Sequence, residues 1–425
     1  MLTGISRYGV REVPGTERII QRRRRRKELV RGPHIEEFEQ AMAKYLGCCH
    51  AVSTSYGRMA FYYILKALDL PAGSEIVAPA LTFWVIPEMA RLAALKPVFA
   101  DVNPATFNMC PLALERAITP RTRAIVPTHL YGLPCEMDSI MEIAQRHKLV
   151  VIEDCAHALG ARYRGRLVGT FGDAAFFSFQ SLKPLNTYGG GMAIVREPEL
   201  ARRVAALAHA EPWPDERCVL RQLRLGRLQR VLTRPSVFTF TGLPILWVCS
   251  WLKAQPDVYL WEKIRPLDPL PAGYRQRYTN VQAALGLEAL TYLDAWTAKT
   301  QRHARLMDEA LRDCPGVLTP QAPAESTHVY YQYCAYVPDR DELVRRSIRR
   351  GLDIETLHVD VCTRLPLFRD FWTDAPGADR AAEAVQLPVY AGLSDRQIRW
   401  VARQVGRALG EKNVSAPLAS RAGPN

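Results

Sequence analysis

Asp154, Ser178 and Lys183 are the residues through which this chain could do chemistry. Asp154 closes an apolar run, VVIED; Ser178 sits inside another, AAFFSF; Lys183 follows in the loop QSLKPLNTYGGG. A lysine amine in such a loop can form a Schiff base with an aldehyde and afterwards carry a proton. A carboxylate at a neighbouring strand end can keep a pyridine nitrogen protonated, so that the ring accepts carbanion electrons. Together with a hydroxyl at a neighbouring strand end, these are what pyridoxal phosphate requires of a protein. Each residue alone reads as an ordinary surface group, and the turn Gly189, Gly190, Gly191 is weak by itself. The ordered set carries the expectation.

The elements that must position these residues are legible as alternating patterns. IVAPA (76–80), PVFADV (97–102), AIVPTHL (124–130), VVIEDC (150–155), AAFFSF (174–179) and GMAIV (191–195) read as strands. Segments 56–68, 84–94, 111–118 and 136–147 lie between them at helical period, and EEFEQAMAKYLG (36–47) reads as an amphipathic helix closed by Gly47. Strand–helix alternation predicts a mostly parallel sheet with helices on both faces, with ligands at the carboxyl ends of the strands. From about 285 a long helical pattern leads into strand-like YYQYCAYV (330–337) and helical DELVRRSIRRG and SDRQIRWVARQVGRAL, a smaller α+β unit. The polar tail from Glu411 reads as disordered.

The chain has 425 residues, 48% hydrophobic and 23% charged, as expected of a folded soluble protein with one large and one smaller domain. Its ten cysteines form no CxxC pair, so neither a metal site nor a disulfide framework is indicated and reduced thiols are expected. The polar N-terminus, with Arg22 to Arg26 and Lys27, is not a secretory signal. The net charge of +13 fits nucleic acid, an anionic membrane or a phosphorylated substrate, but no nucleic-acid motif accompanies it. A stretch at 206–275 stands apart. Arg217, Arg221, Arg224, Arg227, Arg230 and Arg234 recur every three or four residues, which predicts one basic helical face with the leucines mostly elsewhere; residues 235–252 then run without a charge. Pro244 and Gly242 interrupt that run, so it reads as an interfacial anchor or as a buried lid or oligomer interface, and both readings stay open.

Over almost its whole length the sequence is similar to the DegT/DnrJ/StrS family of sugar aminotransferases. The strings GPHIEEFEQAMAKYLG, SEIVAPALTFWV, PVFADVNPATFNM, VVIEDCAHALGARYRGRLVGTFGDAAFFSFQSLK, GGGMAIV, NVQAALGLEAL and LPVYAGLSDRQI follow that family's order. The resemblance implies an α/β, aspartate-aminotransferase-like fold: a large domain around a mainly parallel seven-stranded sheet, and a smaller α+β C-terminal domain. The expected division is a basic segment 1–32, a large domain 33–205 with 275–290, an insertion 206–274, a small domain 291–412 and a tail 413–425.

Carried over by position, the resemblance makes Lys183 the cofactor lysine and Asp154 the partner of the pyridinium nitrogen. It places His157 at the ring hydroxyl, Phe83 on the ring face, and Ser178 with Gly57 and Arg58 at the phosphate. Arg58 stands where the family has a hydroxyl. Arg275 stands where the family has an asparagine that reaches the neighbouring subunit's phosphate, and the two arginines are expected to compensate for these losses. LHVDVCTRLPLF departs from the family around the substrate pocket, with His358 retained.

The implied activity is transfer of an amino group from an amino acid, usually glutamate, to a keto-sugar, usually nucleotide-linked. The implied setting is polysaccharide biosynthesis in the cytoplasm, by a homodimer with a shared site. The alternatives are a sugar dehydratase, against which Lys183 argues, and a non-catalytic sensor, against which the retention of Asp154 and Lys183 argues. Relatives have a much shorter link at 206–274. The basic and apolar stretch 217–252 could therefore hold the enzyme at the inner membrane surface, on a lipid-linked or non-sugar ketone.

Overall fold

The computed structural model describes residues 4–47, 50–252, 262–319, 322–356 and 359–410. Seven strands form the central sheet: β1 (His50–Thr54), β2 (Glu75–Pro79), β3 (Lys96–Ala100), β4 (Thr122–Ile125), β5 (Val150–Asp154), β6 (Ala174–Ser178) and β7 (Gly191–Val195). In space they run β1-β7-β6-β5-β4-β2-β3. β7 pairs antiparallel with both β1 and β6, and the remaining pairs are parallel. Strands such as EIVAP and GMAIV are buried at every position, because helices cover both faces and leave no wet side to alternate toward. The sheet agrees with the mainly parallel expectation. β1, HAVST, escapes a hydropathy reading because only Val52 in it is a large aliphatic.

Helix Gly57–Leu68 packs against the β1, β6 and β7 side of the sheet. The 32-residue helix Asn280–Leu311 packs on helix His34–Leu46 at one end and on helix Asp395–Gly410 at the other, joining the large domain to the small one. The small domain has its own apolar core, which includes Leu311, Tyr333, Leu343, Ile398 and Val401. Ile5 belongs to that core and bridges to Leu352, while the Arg7 guanidinium pairs with Asp353 at 2.7 Å. The basic run itself is helical, Thr16–Arg25.

The stretch after residue 210 forms three helices, Glu216–Leu232, Pro235–Phe238 and Gly242–Trp251. The single basic face expected there is not formed. A helical turn takes 3.6 residues, so repeated steps of three rotate about 60° back around the axis each time, and the stripe winds away from its start. Arg217, Arg221 and Arg224 are exposed. Arg227, Arg230 and Arg234 instead turn to Glu17 and Glu12 of the N-terminal segment. Leu228, Val231 and Leu232, expected mostly off the basic face, lie exposed with Leu225 on the same side of the helix as the first three arginines. No helix among the described residues is long and apolar enough to cross a membrane. His358 and the tail 413–425 lie outside the described residues.

Candidate active site

The strand ends and the loops beyond them converge on one cavity of about 450 Å3. Seven of the residues singled out by sequence line it: Gly57, Arg58, Phe83, Asp154, His157, Ser178 and Lys183. Arg275 does not line the cavity of its own chain. Its side chain is exposed, and its Nε donates to Glu211 at 3.1 Å.

Asp154 is the last residue of β5 and is buried. Its Oδ1 accepts the Ala156 N–H at 3.0 Å. Burial pushes its carboxyl up to about 6, against the opposing pull of the Ala156 amide and the Lys183 charge. The neighbouring Glu153 points to the other side of the strand. It accepts the N–H groups of Gly169, Phe171 and Gly172 and lies 3.0 Å from His129 Nε2. His129 Nδ1 accepts the Cys135 N–H, so the proton sits on Nε2 and is donated to Glu153. His129, Glu153 and Cys155 cluster closely enough to suggest a metal site. The imidazole and the carboxylate are already committed to these bonds, however, and the cluster serves to anchor β5 so that Asp154 faces the cavity.

Lys183 lies across the same cavity. Burial lowers its ammonium to about 7, with Arg58 pushing the same way and Asp154 opposing. Its Nζ sits 3.5 Å from the Tyr331 hydroxyl and 4.7 Å from the centre of that ring. Tyr331 stacks on His157 at 4.2 Å, and Tyr131 lies parallel to the imidazole at 6.3 Å. Tyr331 thus stacks directly on the imidazole, and the more distant Tyr131 ring is near-parallel to it.

At the opposite end, helix Gly57–Leu68 starts against β6. A Cβ on Gly57 would come within 2.9 Å of the Phe177 carbonyl oxygen and 3.0 Å of the Ser178 Cβ, so only glycine permits this approach. The residue before the helix, Tyr56, supplies no side-chain cap, so the amides of the first turn and the helix dipole remain for an anion beside Ser178. A cradle that a single methyl would fill, a hydroxyl, a carboxylate and a depressed lysine in one cavity fit pyridoxal phosphate.

The Arg58 side chain has partners of its own at the cavity wall. Its guanidinium lies over Phe83 at 5.3 Å and over Tyr274 at 4.9 Å. It also donates to Glu262 at 2.7 Å and to the Tyr274 hydroxyl at 2.6 Å. Glu262, Tyr331, Gln222 and Gln229 line the cavity, and Tyr274 and Tyr131 contact Arg58 and His157; sequence reasoning missed all six. Glu262 and Tyr274 come from the stretch taken as insertion, and Tyr331 from a segment read as strand, of which only Tyr333–Ala335 is extended in a ladder. A glutamate and an arginine about two hundred positions apart leave no local signal.

Sheet order, the two-domain division and this constellation define the class: a pyridoxal-phosphate-dependent aminotransferase of the aspartate-aminotransferase-like fold. The sequence pattern of the DegT/DnrJ/EryC1/StrS aminotransferase family matches residues 16–222 and 245–406, and the chain belongs to that family. It is 31% identical to a pleiotropic regulatory protein of Geobacillus stearothermophilus over 92% of this chain and 94% of that one. It is 30% identical to a GDP-perosamine synthase of Caulobacter vibrioides, over 86% and 88%. Among solved structures, the aminotransferase TlmJ of Streptoalloteichus hindustanus superposes with a TM-score of 0.78 at 25% identity, covering 96% of this chain and all of that one. The family pattern breaks at 223–244, inside the helices that begin at Glu216.

Proposed function

We propose that this enzyme moves an amino group from an amino acid, glutamate in the first instance, to the keto carbon of a nucleotide-linked sugar, with Lys183 as the essential amine. When bound, the cofactor would supply an aldehyde to carry the amino group and a ring to delocalise carbanion electrons. The observation that carries the reading is that Asp154 and Lys183, both shifted toward neutrality by burial, share one cavity with the Gly57 cradle.

Lys183 Nζ gains or loses its proton near pH 7, which suits it to take a proton from the donor's amino-bearing carbon and deliver one to the acceptor carbon. Asp154 is the negative group positioned to meet a ring nitrogen. Ser178 and the amides of the Gly57 turn are suited to hold a phosphate. Stacking on Tyr331 orients the His157 ring, which is suited to approach a ring substituent through a nitrogen. Arg275, exposed beside Glu211, supports the homodimer reading, in which it serves a neighbouring copy.

The GDP-perosamine synthase of Caulobacter vibrioides supports the nucleotide-sugar class of acceptor. The test is spectroscopic. Purified protein loaded with pyridoxal phosphate should lose its visible absorbance when glutamate is added and regain it when a nucleotide-linked keto-sugar is supplied. Unchanged absorbance with every amino acid tried would refute the proposal.

A further inference from the structure

Helix Gly242–Trp251, GLPILWVCSW, has no charged residue on any side. A helix apolar all round is ordinarily buried all round, and this one is not. Leu243 and Leu246 pack with Phe238 against Val344 and Ile348 of helix Arg340–Arg349. The opposite side leaves Ile245 63%, Val248 51% and Trp251 62% exposed. Trp247 and Trp251 lie 5.7 Å apart on that side, and Phe240 just before the helix is 81% exposed. Eleven of the fifteen exposed large hydrophobic residues among those described fall between Leu225 and Ile264. The apolar surface is concentrated in one segment, and concentration of this kind marks an interaction face.

The charges beside it say what covers it. Between Arg217 and Leu252 there are six arginines and no aspartate, glutamate or lysine. Arg217, Arg221 and Arg224 are exposed, without an ion pair among the described residues, on the side of helix Glu216–Leu232 that also presents Leu225, Leu228 and Val231. Exposed cations, tryptophans and aliphatic side chains within one short stretch of chain are the composition of an element that lies in a lipid headgroup region. The ten residues of helix Gly242–Trp251 span about 15 Å, half a hydrocarbon core, so the element can lie on a bilayer and cannot cross it. A second copy of this chain suits the tract poorly. Around a two-fold axis the face would meet only itself, and it brings three cations from each copy with no acid in it to answer them.

We propose that helices Glu216–Leu232 and Gly242–Trp251 form a docking surface for an anionic membrane. Trp247, Val248 and Trp251 insert among the headgroups, and Arg217, Arg221 and Arg224 pair with lipid phosphates. The family pattern breaks at 223–244, between the two helices' outer parts, so Arg224, Leu225, Leu228 and Val231 fall where the family pattern is interrupted, while Arg217, Arg221, Trp247, Val248 and Trp251 flank the break. The inference is independent of the sugar and the amino donor.

The test uses the full-length, cofactor-loaded enzyme and vesicles of phosphatidylcholine alone or mixed with phosphatidylglycerol. Wild type should float with the mixed vesicles and not with the neutral ones, and should be released by salt. At about fivefold in partitioning per arginine near an anionic surface, Arg217→Gln/Arg221→Gln/Arg224→Gln should bind on the order of a hundredfold more weakly. Trp247→Ser/Trp251→Ser should not float, and both variants should keep their activity on a soluble substrate. Brominated lipids should quench part of the wild-type tryptophan fluorescence, a readout that requires no variant to fold, and Trp247→Phe/Trp251→Phe should abolish that quenching. Absence of flotation and quenching with mixed vesicles would overturn the proposal. So would an oligomer that dissociates when Trp247 and Trp251 are replaced, since that would assign the face to a second copy.

Discussion

The amine of Lys183 should react as a free base at neutral pH, and the extent is calculable. A lysine at its usual value of 10.5 is about one part in three thousand deprotonated at pH 7, whereas one held near 7 is about half deprotonated. The reactive fraction is therefore larger on the order of a thousandfold. Desolvation is the principal cause and Arg58 adds to it, while Asp154 resists. Cofactor-free protein mixed with pyridoxal phosphate in a stopped-flow spectrometer should show a rate of covalent attachment that rises with pH and levels off just above 7. The signs for neighbours follow from charge. Arg58→Met removes a cation and should move the midpoint upward, and Asp154→Asn removes an anion and should move it downward. Because both residues also touch the binding site, the comparison is between midpoints and not between absolute rates. A rate still climbing steadily at pH 10 in the wild type, or an Arg58→Met midpoint below that of the wild type, would refute the argument that burial and Arg58 set the reactivity of this lysine.

Other consequences follow from the same geometry. Asp154 is raised from 3.8 to about 6, so keeping it ionised costs the folded, cofactor-free protein stability above pH 6, and that cost vanishes as the pH falls to 3.8. Asp154→Asn should therefore abolish transamination while stabilising the cofactor-free protein by about 1–3 kcal/mol near pH 8, a gain that thermal melts at pH 4 should no longer show. Gly57→Ala forces a methyl against Phe177 and Ser178 and should cost about 1–3 kcal/mol, together with cofactor affinity measured by fluorescence quenching. Gly273→Ala, where a Cβ meets nothing within 4 Å, should change neither. Removing the ring that backs His157, in Tyr331→Ala, should weaken cofactor binding up to about tenfold, whereas Tyr331→Phe, which keeps the stack, should bind it as the wild type does.

How far the sequence reaches depends on whether a feature is set locally. The strands that present Asp154 and Ser178 are buried on both faces, so they appear as unbroken apolar runs, and the loop with Lys183 follows directly. The Gly47 cap is equally local, with a left-handed backbone at φ 67° closing helix His34–Leu46. Helix Thr16–Arg25 is hidden in its arginine run, because it buries little more than Ile20 and an Arg23 that is neutralised by Glu28 at 2.6 Å. Tyr331 and Glu262 enter the site only through the tertiary arrangement. The arginine stripe shows the limit of reading by spacing. Recurrence every three or four residues says helix, but the running sum of those steps decides the face, and here it divides six arginines between solvent and two glutamates.

The most direct test of the account is to locate the covalent bond. The cofactor-loaded enzyme would be treated with borohydride, digested and analysed by mass spectrometry. The pyridoxyl mass should appear on the peptide bearing Lys183 and nowhere else, and prior exposure to glutamate should prevent the labelling. Label on a different lysine, or a Lys183→Ala protein that still transfers amino groups at the wild-type rate, would contradict it.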